Sequence, residues 1–320
     1  MSLTGVSVEA EFQPGSSPAP LDGESAQKIE GRSTWQLAWA RLRRDRAAVI
    51  SFAVIVVIIL VAIFAPVFAA ITGHGVNQQF RTTGLNSFGL PTGPGKTFLL
   101  GTDDQGRDIM VRLAYGARIS LFVGVVATLI TVAIGAVLGL AAGYFGGIVD
   151  TVIARLVDLV LSLPYLLFAI SLVSVSHPGI TIVITVIALF GWAAVARIVR
   201  GQVLSIREKE YVEAARSLGA GPWRIMFIDI LPNVTAQLIV YATLLIPVSI
   251  VAEASLSFLG IGIPPPTADW GQMLDQAQSV YQQAWWYLVF PGAALVITTL
   301  AFNILGDGVR DALDPRFDRL

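Results

Sequence analysis

Long runs of apolar residues limit what this chain can fold into more than any other feature of its sequence. The first run, at 48–71, reads AVISFAVIVVIILVAIFAPVFAAI and holds no charged residue. A helix that crosses the roughly 30 Å hydrocarbon core of a bilayer needs about 20 such residues. Only 13% of the chain is charged, against roughly 25% in a soluble domain. The sequence therefore predicts an all-α membrane protein.

Six transmembrane helices are expected from these runs. They fall at about 48–71, 119–143, 153–175, 179–198, 234–258 and 286–306. Ahead of them, segment 34–47 mixes Trp with Arg residues, which is typical of an interfacial helix at the level of the lipid headgroups. Residues 1–33 are rich in Ser, Pro, Gly and acidic residues. They lack apolar periodicity, which predicts a disordered cytoplasmic tail.

The distribution of basic residues predicts the orientation of the chain. Sixteen of the 21 Lys and Arg residues lie in the N-terminal tail, the 144–155 turn, the 197–233 segment and the C-terminus. These segments share one side of the membrane if six helices cross it, and basic residues favour the cytoplasmic side. We therefore expect both termini inside, an external loop at 72–116 and a cytoplasmic C-terminal tail at 307–320.

Several kinds of chemistry are absent from the sequence. The chain has no Cys, which excludes disulfides and thiolate sites, and its two His residues, His74 and His177, are too far apart to suggest a metal site. Segment 89–97, GLPTGPGKT, resembles a P-loop, but five residues separate Gly89 from Gly95 where the motif requires four. We expect no catalytic residue, metal or cofactor in this chain.

A stripe of small residues marks the second predicted span. Gly135, Gly139 and Gly143 recur every four residues, a pattern that lets two helices approach closely. The partner of this stripe is either another helix of the same bundle or a second membrane subunit.

The cytoplasmic segment EYVEAARSLGAGPWRIMFIDILPN interrupts the apolar runs with charge and turn residues. Ser205 and Glu208 fit a capping box, which predicts a helix over about 206–218. Gly219 stands where a left-handed residue commonly ends a helix. Pro222 suits the first turn of a second short helix, which Pro232 is expected to stop.

The first of these helices is predicted to present a thin apolar face. Val212 and Ala215 recur at helical spacing, and Ala214 keeps the helix narrow, so a soluble partner could dock closely. A DNA-reading helix-turn-helix has a similar outline. We exclude nucleic acid because the segment is held between two membrane spans and carries several carboxylates that repel phosphate.

The same segment is similar to the EAA loop of permease subunits of ATP-binding-cassette (ABC) importers. The residues that match in register are Glu213, Ala214, Ala215, Gly219, Leu231 and Pro232, with Asp229 at a position that is Ile in the pattern. Four further stretches, 100–121, 142–147, 252–274 and 306–316, resemble the C-type permease subunit of bacterial dipeptide and oligopeptide importers.

The resemblance implies both a fold and a set of partners. It implies a type I transmembrane domain at 117–306, with the EAA loop at 200–233, in the bacterial inner membrane. It also implies a sister permease, two cytoplasmic ATPase subunits that carry ATP and Mg, and an extracytoplasmic binding protein that delivers peptides. Nickel chelates are an alternative cargo. A stand-alone channel or secondary transporter is an alternative class, but the internal repeat typical of many transporters is not apparent.

Two external features are candidates for substrate handling. The loop that contains Pro264, Pro265, Pro266, Asp269 and Trp270 either receives the binding protein or caps the bundle. Glu253, near the outer end of the fifth span, either lines the pathway or accepts hydrogen bonds from neighbouring backbone.

Charged residues near the start of the third predicted span form one more candidate pair. Arg155 and Asp158 lie about one helical turn apart, so we expect them to neutralise each other at the membrane edge.

Overall fold

The computed structural model describes residues 34–313, and within this range it is helical apart from loops and two isolated β-bridges. The helices are α1 Thr34–Leu42, α2 Arg46–Ile63, α3 Ala65–Thr72, α4 Ile109–Phe145, α5 Gly147–Ser162, α6 Tyr165–Ser174, α7 Ile180–Ile206, α8 Glu210–Ser217, α9 Pro222–Arg224, α10 Leu231–Phe258, α11 Trp270–Ala277 and α12 Trp285–Leu313. A π-helical turn, Ile225–Ile230, joins α9 to α10. The tail predicted at 1–33 lies outside the described residues.

Five helices of the described residues are long and apolar enough to cross a membrane. The number reaches the predicted six if α5 and α6, which are bent by 88° relative to each other, count as one span. The bend follows from Pro164, because the residue before a proline is pushed out of the helical region, and Leu163 is extended with φ −82° and ψ 133°.

The first and last described helices contact each other. Arg41 Nη1 of α1 donates to the Ala312 backbone oxygen of α12 over 3.4 Å. The two ends therefore share one side, as an even number of crossings requires.

The membrane helices extend beyond their apolar runs. The loop predicted at 72–116 ends early, because α4 begins at Ile109 and the side chain of Asp108 caps it, accepting from the Met110 amide over 2.8 Å. Helix α12 continues to Leu313, so the start of the tail predicted at 307–320 is helical. Apolar composition marks only the part of a helix within lipid, whereas backbone hydrogen bonds extend the helix into water.

The glycine stripe packs α4 against α7 within the chain. A Cβ added at Gly135, Gly139 or Gly143 would lie 2.5, 2.7 or 2.6 Å from the Cβ of Val195, Val199 or Val203, respectively. Such distances leave room only for hydrogen, so glycine allows the two backbones to approach closely. Of the two partners considered for this stripe, the structure selects the one inside the bundle.

Residues 73–108 form an external cap over α4, α11 and α12. The Asp103 carboxylate accepts from Arg107 Nε over 2.5 Å and lies 3.4 Å from Arg112 Nε, and all three side chains are buried. The Trp286 indole donates to the Thr102 backbone oxygen over 3.2 Å. Segment 89–97 belongs to this cap, and it neither follows a strand nor opens a helix.

Candidate coupling surface and external site

Helix α8 is the predicted cytoplasmic helix, but it begins later than expected. The capping-box prediction is wrong, because α7 continues to Ile206 and Ser205 lies inside it. Lys209, with extended backbone, precedes α8, and no side chain caps the helix. Ile206, the residue after Ser205, packs against the cluster that contains Val199 and Val203, so α7 continues through the capping pattern.

Gly219 ends α8 as predicted. Its φ is +82°, and two hydrogen bonds close the turn: the Gly219 amide donates to the Arg216 oxygen and the Ala220 amide to the Ala215 oxygen, each over 3.0 Å. This pair of bonds is the Schellman arrangement, in which a left-handed residue satisfies the last carbonyls of a helix. The turn therefore has one defined geometry and requires a residue that tolerates positive φ.

One face of α8 is held by the chain's own spans. Val212 is 0% exposed and belongs to a cluster with Leu140, Ile225, Ile230 and Val234. The predicted apolar face thus packs inward, and Ala215 contacts the same cluster.

The opposite side of α8 and the following turn are exposed. Glu213 and Ala214 face solvent, Leu218 is 88% exposed and Trp223 is 68% exposed. These four residues define the candidate coupling surface.

The second helix does not stop at Pro232. Pro222 occupies its first turn as predicted, but Pro232 lies in the first turn of α10, directly after the π-helical turn. The wider π turn makes room for a proline ring, which would otherwise clash with the carbonyl of the preceding turn. Residues 222–258 therefore form one helical run of 37 residues, and Leu231 is half-buried within it.

Helices α5 and α7 are joined by two ion pairs. Arg200 makes two hydrogen bonds to Asp150, one of them from Nη2 to Oδ2 over 2.7 Å. Arg197 Nη2 contacts Asp158 over 2.8 Å. The predicted pairing of Asp158 with Arg155 is wrong, because Asp158 turns to the neighbouring helix instead.

Only part of the predicted external docking loop is available to a partner. Pro264, Pro265 and Pro266 are exposed, but Asp269 and Trp270 are buried. Asp269 caps α11, where its Oδ1 accepts from the Gln272 amide over 3.1 Å. The Trp270 indole donates to the Leu113 oxygen over 3.1 Å. Trp270 thus holds α11 on α4 while Asp269 caps α11, which corrects the expected place of both residues on the docking surface.

Glu253 is enclosed within the chain. It is 0% exposed, and its Oε1 accepts from the Ser257 hydroxyl over 3.0 Å. The partner is a side chain rather than the backbone donors that the sequence suggested, and the carboxylate does not reach the surface of the described chain. Among the described residues, no group of three or more His, Asp or Glu side chains is placed to hold a metal ion.

Two family descriptions match the chain. Residues 132–319 match "Binding-protein-dependent transport system inner membrane component". Residues 33–86 match "N-terminal TM domain of oligopeptide transport permease C".

Curated relatives agree with these matches along nearly the whole chain. The oligopeptide transport system permease protein OppC of Bacillus subtilis (strain 168) is 40% identical over 301 residues, 93% of this chain and 96% of that protein. The dipeptide permease DppC of the same organism is 42% identical over 285 residues, 89% of this chain and 86% of that protein. The glutathione transport system permease protein GsiD of Pectobacterium atrosepticum is 39% identical over 285 residues, 89% of this chain and 92% of that protein. The chain therefore belongs to the inner-membrane components of binding-protein-dependent transport systems, as a multi-pass permease subunit of an ABC transporter in the plasma membrane.

Proposed function

We propose that this permease, together with a sister permease, forms the membrane pathway of an importer for short peptides. The relatives that support this cargo are named for oligopeptides, dipeptides and glutathione, a tripeptide. The transport domain is taken as 117–306. The observation that carries the proposal is the coupling surface, a stiff exposed element on the side of the chain that holds its basic residues.

The coupling surface suits docking to a cytoplasmic ATPase subunit. Leu218 and Trp223 present exposed apolar area in a segment that also exposes Glu213, and exposed apolar patches with polar rims mark protein interfaces. Glu213 forms no ion pair among the described residues. We assign it a basic partner on the ATPase, where ATP and Mg are bound.

Movement of that ATPase would reach the membrane through two rigid connections. The buried side chain of Val212 fixes α8 to the bundle, and the continuous run 222–258 leads directly into the fifth span. A displacement at the coupling surface must therefore move membrane helices instead of being absorbed by a flexible loop. Gly219 defines the direction in which α8 points.

The external side is assigned to the extracytoplasmic binding protein. Pro264, Pro265 and Pro266 are exposed together, and a proline-rich segment is stiff, so little conformational entropy is lost when a partner covers it. The 259–284 segment holds no Lys or Arg, which fits a surface outside the cell.

A cysteine cross-link tests the coupling assignment cleanly, because the chain has no Cys of its own. We expect a single Cys at Leu218 to cross-link to an ATPase subunit in the assembled transporter. A Cys at Phe88, which is 86% exposed on the external cap, is the matched control and should give no such product. ATPase cross-linking at Phe88 but not at Leu218 would invert the proposed topology and refute the assignment.

Uptake in proteoliposomes tests the cargo and the class of transporter. Labelled dipeptide should accumulate only when ATP, the binding protein, both permeases and the ATPases are present. Accumulation by this chain alone would indicate a stand-alone transporter. Inhibition by nickel chelates, but not by unlabelled peptides, would move the cargo to the alternative class.

A further inference from the structure

Four buried oxygen atoms near the external ends of α4, α10 and α11 have no hydrogen-bond partner among the described residues. They are Ser120 Oγ, Glu253 Oε2, Asp269 Oδ2 and Gln272 Oε1. The first three residues are 0% exposed and Gln272 is 4% exposed. Buried polar atoms in folded proteins are nearly always hydrogen-bonded, so four unpaired oxygens in one region call for a bound group.

Hydrogen bonds to the other carboxylate oxygens hold this cluster in place. Glu253 Oε1 accepts from Ser257 Oγ over 3.0 Å, and Asp269 Oδ1 accepts from the Gln272 amide over 3.1 Å. The Ile263 amide donates to Ser257 Oγ over 3.2 Å, and Gln272 Nε2 donates to the Ile263 oxygen over 3.0 Å. The carboxyls of Glu253 and Asp269 face each other within hydrogen-bonding reach. The two carboxyl groups therefore lie side by side in one buried region.

The charge in that region is uncompensated. Among the described residues, neither Glu253 nor Asp269 forms an ion pair with Lys, Arg or His. Two buried carboxylates without a counter-charge are strongly unfavourable, so the site takes up either a proton or a cation.

We propose that Ser120, Glu253, Asp269 and Gln272 form a binding site for one Ca²⁺ ion. All the available donors are oxygens, which hard cations prefer, and two carboxylates balance a double positive charge. A proton shared by the two carboxyls would pair only Glu253 Oε2 and Asp269 Oδ2, leaving the Gln272 carbonyl oxygen without a partner. Ca²⁺ also accepts irregular sets of ligands, whereas Mg²⁺ demands a near-ideal octahedron.

The bound ion would join three elements that form the external end of the bundle. Ser120 belongs to α4, Glu253 to α10 and Gln272 to α11, and Asp269 caps α11. The exposed prolines 264–266 lie in the loop between α10 and α11, so the ion would fix the base of that loop. This role is separate from the identity of the cargo and from the coupling surface.

The test uses the assembled transporter, purified in detergent and stripped of divalent ions with EGTA. Ca²⁺ is expected to raise the thermal unfolding temperature, with a half-maximal effect at about 0.1–1 mM, the range typical of extracellular calcium modules. Mg²⁺ at the same concentrations should have a much smaller effect. Tb³⁺ serves as a luminescent probe excited through Trp270, the residue after Asp269, and Ca²⁺ should displace it.

Matched variants locate the site. Glu253→Gln and Asp269→Asn should each raise the Ca²⁺ concentration for half-maximal effect about tenfold or more, because ligand charge sets calcium affinity. Asp275→Asn is the control, since Asp275 lies on the same helix and its carboxylate accepts from Gln278 over 3.2 Å. It should behave as wild type.

Two results would overturn the proposal. One is a wild-type transporter whose unfolding temperature and Tb³⁺ luminescence do not respond to Ca²⁺, which would identify a protonated carboxyl pair. The other is a Ca²⁺ response that Asp275→Asn weakens as much as Glu253→Gln does. The first measurement needs no variant, so it holds even if a substitution prevents folding. Peptide uptake is scored separately, so failure of the ion site does not alter the transport proposal.

Discussion

Replacing Gly219 by Ala should weaken coupling through the backbone alone. A Cβ at this position would meet no atom within 4 Å, so the substitution creates no clash. The residue must nevertheless keep φ near +82°, which an alanine adopts at a cost of about 1–2 kcal/mol. The effect of Gly219→Ala therefore isolates the left-handed turn from every other property of the loop.

The expected magnitude follows from what stabilises the turn. Two backbone hydrogen bonds close it, and each contributes a net of about 0.5–1.5 kcal/mol. A strain of about 1–2 kcal/mol offsets much of that sum and shifts the population of turn conformers roughly 5–30-fold. We expect ATP-driven uptake to fall several-fold while the protein still inserts and assembles.

Two companion variants sharpen the measurement of uptake and ATPase activity in proteoliposomes. Gly221→Ala is the matched control: its Cβ also meets no atom within 4 Å, but its φ is −71°, so uptake should stay at the wild-type level. Gly219→Asn should retain more uptake than Gly219→Ala, because Asn tolerates the left-handed region better. Equal losses in Gly219→Ala and Gly221→Ala, or no loss in either, would refute the reasoning.

Three further predictions concern packing and the external cap. Gly139→Ala places a Cβ 2.7 Å from the Ala196 oxygen and should lower the free energy of unfolding in detergent by about 1–3 kcal/mol. Gly201→Ala is the control, because its Cβ would meet no atom within 4 Å. Equal melting temperatures for the two variants would contradict this prediction. Thr128→Val removes the 2.9 Å hydrogen bond to Ser249 and should cost about 0.6 kcal/mol in reversible unfolding, the mean for membrane helices; a cost above about 2 kcal/mol would contradict that estimate. Burial, followed by repulsion from a neighbouring carboxylate, raises the pKa of Asp104 above 3.8, so its contribution to stability is present at low pH and is lost as pH rises through the folded pKa. Asp104→Asn should therefore raise the melting temperature at pH 7, and this gain over the wild type should disappear below about pH 3.8. A lower melting temperature of Asp104→Asn at pH 7 would show that the ionised carboxylate is stabilising.

Much of the fold could be predicted because the bilayer imposes simple rules on a sequence. Apolar runs predicted six spans, which the structure matches if α5 and α6 count as one. Gly219 and Pro222 marked helix ends because each of these residues restricts or permits particular backbone conformations. The capping pattern at Ser205 failed for a physical reason. It is a local signal, whereas α7 continues to Ile206, which packs against a cluster that includes Leu140 of the distant helix α4.

The external site could not be predicted in the same way, because its contacts join distant parts of the chain. Arg107 donates to Gln276 over 3.1 Å across a separation of 169 residues. Asp269 and Trp270 occur in a loop whose composition indicates exposure, yet both are buried. Periodicity does not reveal which loop residues turn inward, since that depends on packing against other elements.

The helical run from Pro222 to Phe258 is unbroken, so it connects the candidate coupling surface directly to the fifth membrane span. Its 37 residues span about 55 Å at 1.5 Å per residue. A tilt of about 10° around its midpoint would carry each tip roughly 5 Å in opposite directions. Trp223 lies near one tip and Glu253 near the other, so such a tilt would move these two residues in opposite directions.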